Sequence, residues 1–127
     1  MNKEMEDFTR KNEREYEWIK FIQYCYNSYN FKQKFLYLCL AKDVILSSQW
    51  VYYDLVGRDE VYTYLVCKAK AIKRSGAKLE TKIVRGNFYF GSHSHGLLVK
   101  SSNGQEIFVL VKVNEKNQLY QYSICMP

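Results

Sequence analysis

The sequence contains little that interrupts regular structure, and it has no long apolar run. One proline and six glycines stand among 127 residues, so few positions break a helix or a strand. No apolar run approaches the about 18 residues that a membrane-spanning helix needs. The stretch from Met1 to Trp18 is densely charged and lacks the apolar core of a signal peptide. We therefore expect a cytoplasmic protein with no membrane partner.

Cysteine and histidine are too scattered to predict a metal site. The four cysteines, at positions 25, 39, 67 and 125, form no Cys-x-x-Cys pair, and His93 and His95 are far from all of them in sequence. Structural zinc sites use pairs of ligands at short spacing. We therefore expect no metal and no cofactor, and we interpret the thiols as small buried groups in a reducing compartment.

The composition is typical of one globular domain that spans residues 1–127. Hydrophobic residues make up 47% of the chain and aromatic residues 17%, which excludes a disordered class of protein. The net charge of +6 is concentrated in residues 68–85, where Glu80 stands among seven lysines and arginines. Such a segment attracts nucleic acid or another polyanion, or it is a solvated helix end. Because no recognition motif accompanies it, we favour the solvated helix end.

Apolar spacing predicts three helices. Over 4–29, apolar residues recur every three or four positions, at Phe8, Trp18, Ile19, Ile22 and Cys25, which predicts a first helix with a buried apolar side. A second, shorter helix is predicted over 31–42. A third helix is predicted from Asp59 to Arg74, with acidic residues at its start and Ser75-Gly76 at its end. The predicted buried side of the second helix consists of Phe35, Leu36, Leu38, Cys39 and Leu40.

The other segments predict strands. Residues 44–53 are rich in β-branched and aromatic residues, and the chain after Gly76 predicts four antiparallel strands, over 79–90, within 97–113 and over 119–125. Asn103-Gly104 lies between two alternating runs, which is typical of a two-residue hairpin turn. That turn would pair Val99 with Phe108 and His95 with Lys112.

The element order and residues 35–73 resemble the nuclear transport factor 2-like superfamily, which includes polyketide-cyclase-like and ketosteroid-isomerase-like proteins. The resemblance depends on the segment FLYLCLAKDVILSSQWVYYDLVGRDEVYTYLVCKAKAIK and is greatest to small bacterial members of unestablished function. It implies an α+β fold in which three helices pack on a strongly curved antiparallel sheet, forming a cone. It also implies a pocket under the third helix and a homodimer that forms through the sheet.

Within that fold, a basic residue and several aromatic residues are the predicted ligand contacts. At about 100° per residue, Lys68 lies in the middle of the apolar side of the third helix, between Tyr64 and Ile72. A buried ammonium needs an acid, a carbonyl or an anionic ligand. On the first strand, one of two sets faces the pocket: Ser48, Trp50 and Tyr52, or Gln49, Val51 and Tyr53. The predicted ligand-binding residues are Lys68, Trp50, Tyr52 and Tyr64.

Catalysis is not evident in the sequence. Relatives in the superfamily place an aspartate or an arginine on the last strand. The last strand here, 119–125, has no acidic residue. The enzyme alternative is an isomerase, dehydratase or hydrolase acting on a small apolar molecule. It uses His95 or Asp54 as general base and Tyr53 as hydrogen-bond donor. The favoured interpretation is a protein that binds a small ligand or a protein partner without catalysis, and polyanion binding through residues 68–85 is a third alternative.

Overall fold

The computed structural model describes residues 3–49, 53–88 and 93–126, and the side chains of residues 10–49, 53–85 and 95–126. The elements follow in the order α1 (Lys3–Asn27), α2 (Lys34–Cys39), β1 (Leu40–Ser48), β2 (Leu55–Val56), α3 (Arg58–Ser75), β3 (Leu79–Phe88), β4 (His93–Ser101), β5 (Glu106–Val113) and β6 (Leu119–Cys125). The predicted α+β class and element order are confirmed. In the part of the chain that the structure describes, no helix combines the length and apolarity needed to cross a membrane.

The six strands form one curved sheet in the order β2-β1-β6-β5-β4-β3. Neighbouring strands are antiparallel except β1 and β6, which run parallel, with Leu40 opposite Leu119. The C-terminal strand therefore lies inside the sheet, and it joins β1 and β2 to the hairpins of the chain's second half. The short strand β2 pairs antiparallel with β1 and forms one edge of the sheet.

The helices cover one side of the sheet, and strand alternation separates the two sides. Val109 and Val111 face the helices in the main core, whereas Phe108 and Leu110 belong to a smaller cluster on the other side. The helix α1 contributes its regularly spaced apolar stripe to the main core, as predicted: Trp18, Ile19, Ile22 and Cys25 are all buried. The side chain of Phe8, at the start of that stripe, lies outside the described residues.

The second helix and first strand have different limits from those predicted. The helix α2 covers only Lys34–Cys39, and β1 already begins at Leu40, where alternation buries Leu40, Val44 and Leu46. The apolar run predicted that the helix continues to residue 42. Leu40 instead pairs with Leu119 of β6, so the chain is already a strand there. At the other end, β1 stops at Ser48, and Tyr53 lies in a bend instead of a strand.

The hairpin between β4 and β5 is confirmed, but its predicted register is wrong by one residue. Val99 pairs with Ile107, not with Phe108. The loop has three residues instead of two: the Gly104 N–H donates to the Ser101 carbonyl, and Gly104 has a φ of 93°. A turn followed by a glycine with positive φ is the usual three-residue hairpin. This register also rules out the predicted pairing of His95 with Lys112, and His95 lies opposite Arg85 of β3.

Candidate functional site

A groove lined by aromatic rings lies beside α1 and α2. We call it the aromatic groove. Its volume is about 560 Å³, and it is lined by Glu13, Arg14, Tyr16, Glu17, Trp18, Phe21, Phe35 and Asn117. This volume is within the range of about 300–1,000 Å³ that is usual for small-molecule sites.

Three rings pack together in this groove. Trp18 stacks on Phe35 with ring centroids 5.9 Å apart, and Phe21 meets Phe35 edge-on at 5.0 Å. Trp18 is 3% exposed, and its Nε1–H donates to the Asn117 carbonyl at 3.3 Å, which fixes the indole. The core and the turn between β5 and β6 therefore hold the indole that lines the groove.

Two apolar residues of α2 are exposed, which corrects the prediction that they are buried. Phe35 is 53% exposed and Leu38 is 54% exposed, while Leu36 between them is fully buried. Leu36 faces the core, and at about 100° per residue Phe35 and Leu38 lie on other sides of the helix. The rim of the aromatic groove thus has a large apolar side chain in contact with solvent.

A second, more polar cleft lies on the other side of Arg14. We call it the polar cleft. Its volume is about 1,040 Å³, and it is lined by Arg10, Lys11, Arg14, Asp43, Val113, Asn114, Glu115, Lys116, Gln118 and Tyr120. Arg14 belongs to both linings. The two cavities are therefore neighbours along α1 and share one basic side chain.

Two tyrosine hydroxyls meet in the core between α1 and the sheet. Tyr26 and Tyr122 are 5% and 0% exposed, and their hydroxyl oxygens lie 2.8 Å apart. Burial raises the pKa of both phenols well above the ordinary value, so both keep their protons at neutral pH. Burial also raises the pKa of the neighbouring Cys25 thiol to about 12, which keeps it from acting as a nucleophile.

The prediction that Lys68 is buried on α3 is wrong, because Lys68 is exposed. The fully buried residues of α3 are Val61, Leu65 and Ala69. At about 100° per residue, their stripe is centred near Leu65, and Lys68 lies roughly 60° to one side of it. The physical argument for an ammonium in a pocket under α3 therefore no longer applies. Ligand contact by Lys68 stays a prediction.

The other predicted ligand contacts are only partly described. Tyr64 is half-buried and packs against the main core, and burial raises the pKa of its phenol. Trp50 and Tyr52 lie outside the described residues. The question of which side of the first strand faces a pocket stays open for the same reason.

The candidate catalytic residues lie on separate parts of the sheet. Tyr53 and Asp54 are exposed beside β2, whereas His95 lies on β4. These strands are four positions apart, roughly 19 Å along the sheet at about 4.8 Å per strand. The structure thus does not bring His95 together with Asp54 or Tyr53. Their catalytic roles stay predictions that nothing tests.

His95 has its own environment beside α1. Its ring lies 4.7 Å from the ring of Tyr16, and its backbone N–H donates to Oε1 of the buried Glu15 at 3.4 Å. Burial lowers the pKa of His95, the Arg85 guanidinium lowers it further, and the Glu15 carboxylate opposes both. His95 is therefore mainly neutral at pH 7. The side chain of His93 lies outside the described residues.

Two further predictions concern metal ions and polyanions. Among the described residues, no group of three His, Cys, Asp or Glu side chains is arranged to hold a metal ion. All seven lysines and arginines of residues 68–85 are exposed, on the second half of α3, on the turn after it and on β3. Polyanion binding by this segment is untested.

Solved structures of low sequence identity share this fold. A protein with a cystatin-like fold from Silicibacter pomeroyi is 19% identical at a TM-score of 0.58, over 78% of this chain and 67% of that chain. A nuclear transport factor 2-like protein from Mesorhizobium loti is 8% identical at 0.64, over 92% and 93%. A SnoaL-like protein from Burkholderia thailandensis is 13% identical at 0.58, over 98% and 96%.

These comparisons show the fold and nothing beyond it. No family model and no curated protein matches the sequence itself. The Mesorhizobium loti and Burkholderia thailandensis proteins are of unknown function. The chain has the nuclear transport factor 2-like fold, as the resemblance of residues 35–73 implied.

Sequence reasoning did not find either cavity. It assigned Trp18 and Phe35 to buried helix faces, and it gave Arg14 no role. One signal was available: Arg10, Lys11 and Arg14 are spaced to share one side of a helix. The contribution of the turn around Asn117 depends on tertiary contacts, which no local pattern encodes.

Proposed function

We propose that this chain is a binding protein without catalysis, and that a small ligand with a flat apolar body lies in the aromatic groove. The observation that carries the proposal is the cluster of Trp18, Phe21 and Phe35, in which Phe35 is half-exposed at the rim of a concave site. An apolar side chain held open beside a cavity is typical of a ligand site. The site is thus assigned to α1 and α2 instead of the region under α3.

The energetics favour an apolar aromatic ligand. A phenylalanine side chain offers about 150–250 Å², so the exposed half of Phe35 amounts to roughly 100 Å². Covering that area contributes about 2–3 kcal/mol at ~25 cal/mol per Å². Trp18 is almost fully buried and stacks on Phe35, so the indole holds the Phe35 ring in place and lowers the entropic cost of binding a ligand on it.

The enzyme alternative has less support. It needs a base and a hydrogen-bond donor within about 3 Å of one reacting atom. Asp54 and Tyr53 lie beside β2, and His95 lies on β4, so these residues do not share a cavity with one another. Localisation in the cytoplasm and a homodimer that forms through the sheet stay predictions, and light scattering of the purified protein tests the second.

The test is a fluorescence titration with N-phenyl-1-naphthylamine, a neutral aromatic probe. We expect saturable binding that Phe35→Ala weakens at least about tenfold, equivalent to ~1.4 kcal/mol. The matched control is Leu38→Ala, which removes an equally exposed apolar side chain of the same helix that is not part of the groove lining. We expect this variant to bind like the wild type.

Two results would overturn the proposal. One is the absence of saturable binding by the wild-type protein. The other is an equal response of the Phe35→Ala and Leu38→Ala variants, which would mean that the probe adheres to exposed apolar surface in general. Circular dichroism of each variant ensures that the comparison is made between folded proteins.

A further inference from the structure

Arg14 stands between the aromatic groove and the polar cleft and lines both. Arg14 as a whole is half-buried. Its Nε atom is fully buried and has no hydrogen-bond partner in the part of the chain that the structure describes. A buried N–H without an acceptor costs about 1–3 kcal/mol. An acceptor in either cavity recovers that free energy once the guanidinium turns its Nε–H toward it.

The charges around Arg14 favour an anion on the cleft side. Four basic residues line the polar cleft, against the two carboxylates of Asp43 and Glu115. Among the described residues, no ion pair within 4.0 Å joins these carboxylates to the basic residues. The excess positive charge is therefore available to a ligand, and a concave surface concentrates its field. The basic residues are Arg10, Lys11, Arg14 and Lys116.

The amides of the cleft are already engaged, which leaves its basic side chains as donors to an anion, and Arg14 is the one of them that also lines the aromatic groove. The Asn114 side-chain amide donates to Gln118 Oε1 at 3.2 Å, and Asn114 Oδ1 accepts the backbone N–H groups of Lys116 and Gln118. These amides are thus engaged in holding the turn between β5 and β6. The guanidinium fork, in contrast, has donors suited to the two oxygens of one anionic group.

The groove side carries the opposite charge. Glu13 and Glu17 line the aromatic groove, both are exposed, and Glu17 pairs with Lys20 at 3.7 Å. An anionic group is repelled from that side and attracted to the cleft. The arrangement therefore orients a ligand with its ring on the exposed side chain of Phe35 and its charge toward Arg14.

We propose that the ligand is an amphiphilic anion: a flat apolar body in the aromatic groove, joined to a carboxylate, sulfonate or phosphate that Arg14 binds at the edge of the polar cleft. This inference rests on the proposed function of the aromatic groove and names the chemical class of its ligand. It assigns Arg14 as the residue that selects anionic over neutral ligands.

The experiment compares two probes that share an aromatic body. One is 1-anilinonaphthalene-8-sulfonate, and the other is the neutral N-phenyl-1-naphthylamine. We expect the wild-type protein to bind the sulfonate about tenfold more tightly, with an advantage that shrinks as salt is added. Because Arg14 also lines the groove, the readout is the ratio of the two affinities, and in Arg14→Met we expect this ratio to fall to about one. Lys70→Met removes the same charge from an exposed site on α3 and leaves both affinities unchanged.

A second variant keeps the experiment decisive if Arg14→Met does not fold. Arg14→Lys retains the charge but loses the planar fork, and we expect the ratio of sulfonate affinity to neutral-probe affinity to fall at least about threefold. Equal affinity of the two probes for the wild-type protein, or a sulfonate advantage that survives in both variants, overturns the role of Arg14 and leaves the groove assignment standing. Failure of the neutral probe to bind overturns the groove assignment as well.

Discussion

The hydroxyl of Tyr26 on α1 lies 2.8 Å from the hydroxyl of Tyr122 on β6, and both residues are buried. One phenol donates to the other, so each provides the partner that burial requires of a polar group. The ring of Tyr26 also meets Phe31 edge-on with centroids 4.8 Å apart. The pair therefore joins the long helix to the central strand of the sheet by a polar contact within an apolar core.

A double-mutant cycle on this pair tests whether the hydrogen bond stabilises the fold. We expect Tyr26→Phe and Tyr122→Phe each to lower the free energy of unfolding by about 1–3 kcal/mol, because each leaves one buried hydroxyl without a partner. The double variant removes both hydroxyls and should be less destabilised than the sum of the two. Urea unfolding monitored by circular dichroism gives all four values. Additive effects would show that the two hydroxyls do not interact.

The same region predicts a loss of stability at alkaline pH. Burial raises the pKa of the Cys25 thiol from 9.0 to about 12 and raises the pKa of Tyr26 and Tyr122 above their ordinary 10.0. In the unfolded chain these groups release their protons at the ordinary values. The stability that depends on the protonated forms of these groups is therefore fully present below about pH 9. It is lost as the pH rises through their folded-state pKa values.

Urea unfolding between pH 8 and pH 11 measures this effect. Each group lowers the free energy of unfolding by up to about 1.4 kcal/mol for each pH unit above its unfolded pKa. Burial also raises the pKa of the Cys39 thiol from 9.0, but Cys25 is the more deeply buried of the two, so we expect Cys25→Ala to make the decline between pH 9 and pH 10 shallower. Unchanged stability of the wild-type protein up to pH 11 would contradict the prediction.

Close packing over Gly96 predicts a strong effect of a single methyl group. A Cβ atom at position 96 would lie 2.7 Å from Cε1 of Phe108 and 3.0 Å from Cδ2 of Leu110, and nearer still to Cζ of Phe108. We expect Gly96→Ala to lower the free energy of unfolding by about 1–3 kcal/mol, because the buried phenyl ring has to move. Urea unfolding measures the change.

A suppressor variant checks the cause. Combining Gly96→Ala with Phe108→Leu shortens the side chain that would clash, so the pair should be less destabilising than the sum of the single changes. A Gly96→Ala protein within about 0.5 kcal/mol of the wild type would show that the strand accommodates the methyl group without cost.

The sequence predicted most of the elements but not their pairing. The third helix was found because Asp59 and Glu60 mark its start and Gly76 its end, and these signals are local. The hairpin register was missed because Asn103-Gly104 fits both a two-residue and a three-residue loop. Which loop forms depends on which side of β5 is buried, and that is decided by the packing of Val109 and Val111 against the helices.

The candidate site was harder to predict for a related reason. A helical wheel gives the angle between Lys68 and Leu65 around the axis of α3. The packing of α3 on the sheet decides which side of the helix is buried, and that side is centred on Leu65. The aromatic groove needs three segments far apart in sequence: α1, the six-residue α2 and the turn at Asn117. Each segment has an ordinary pattern alone, and the cavity exists only where they meet.

The parallel pairing of β1 with β6 also has a consequence for how the chain folds during synthesis. β1 and β2 leave the ribosome early, yet the strand that joins them to the rest of the sheet is made last among the six. Until Leu119–Cys125 emerge, one side of β1 is an open edge that another nascent chain can pair with. The sheet is complete only when β6 pairs with β1, and these strands are far apart in sequence. Such pairing is slow, because a long loop has to close first.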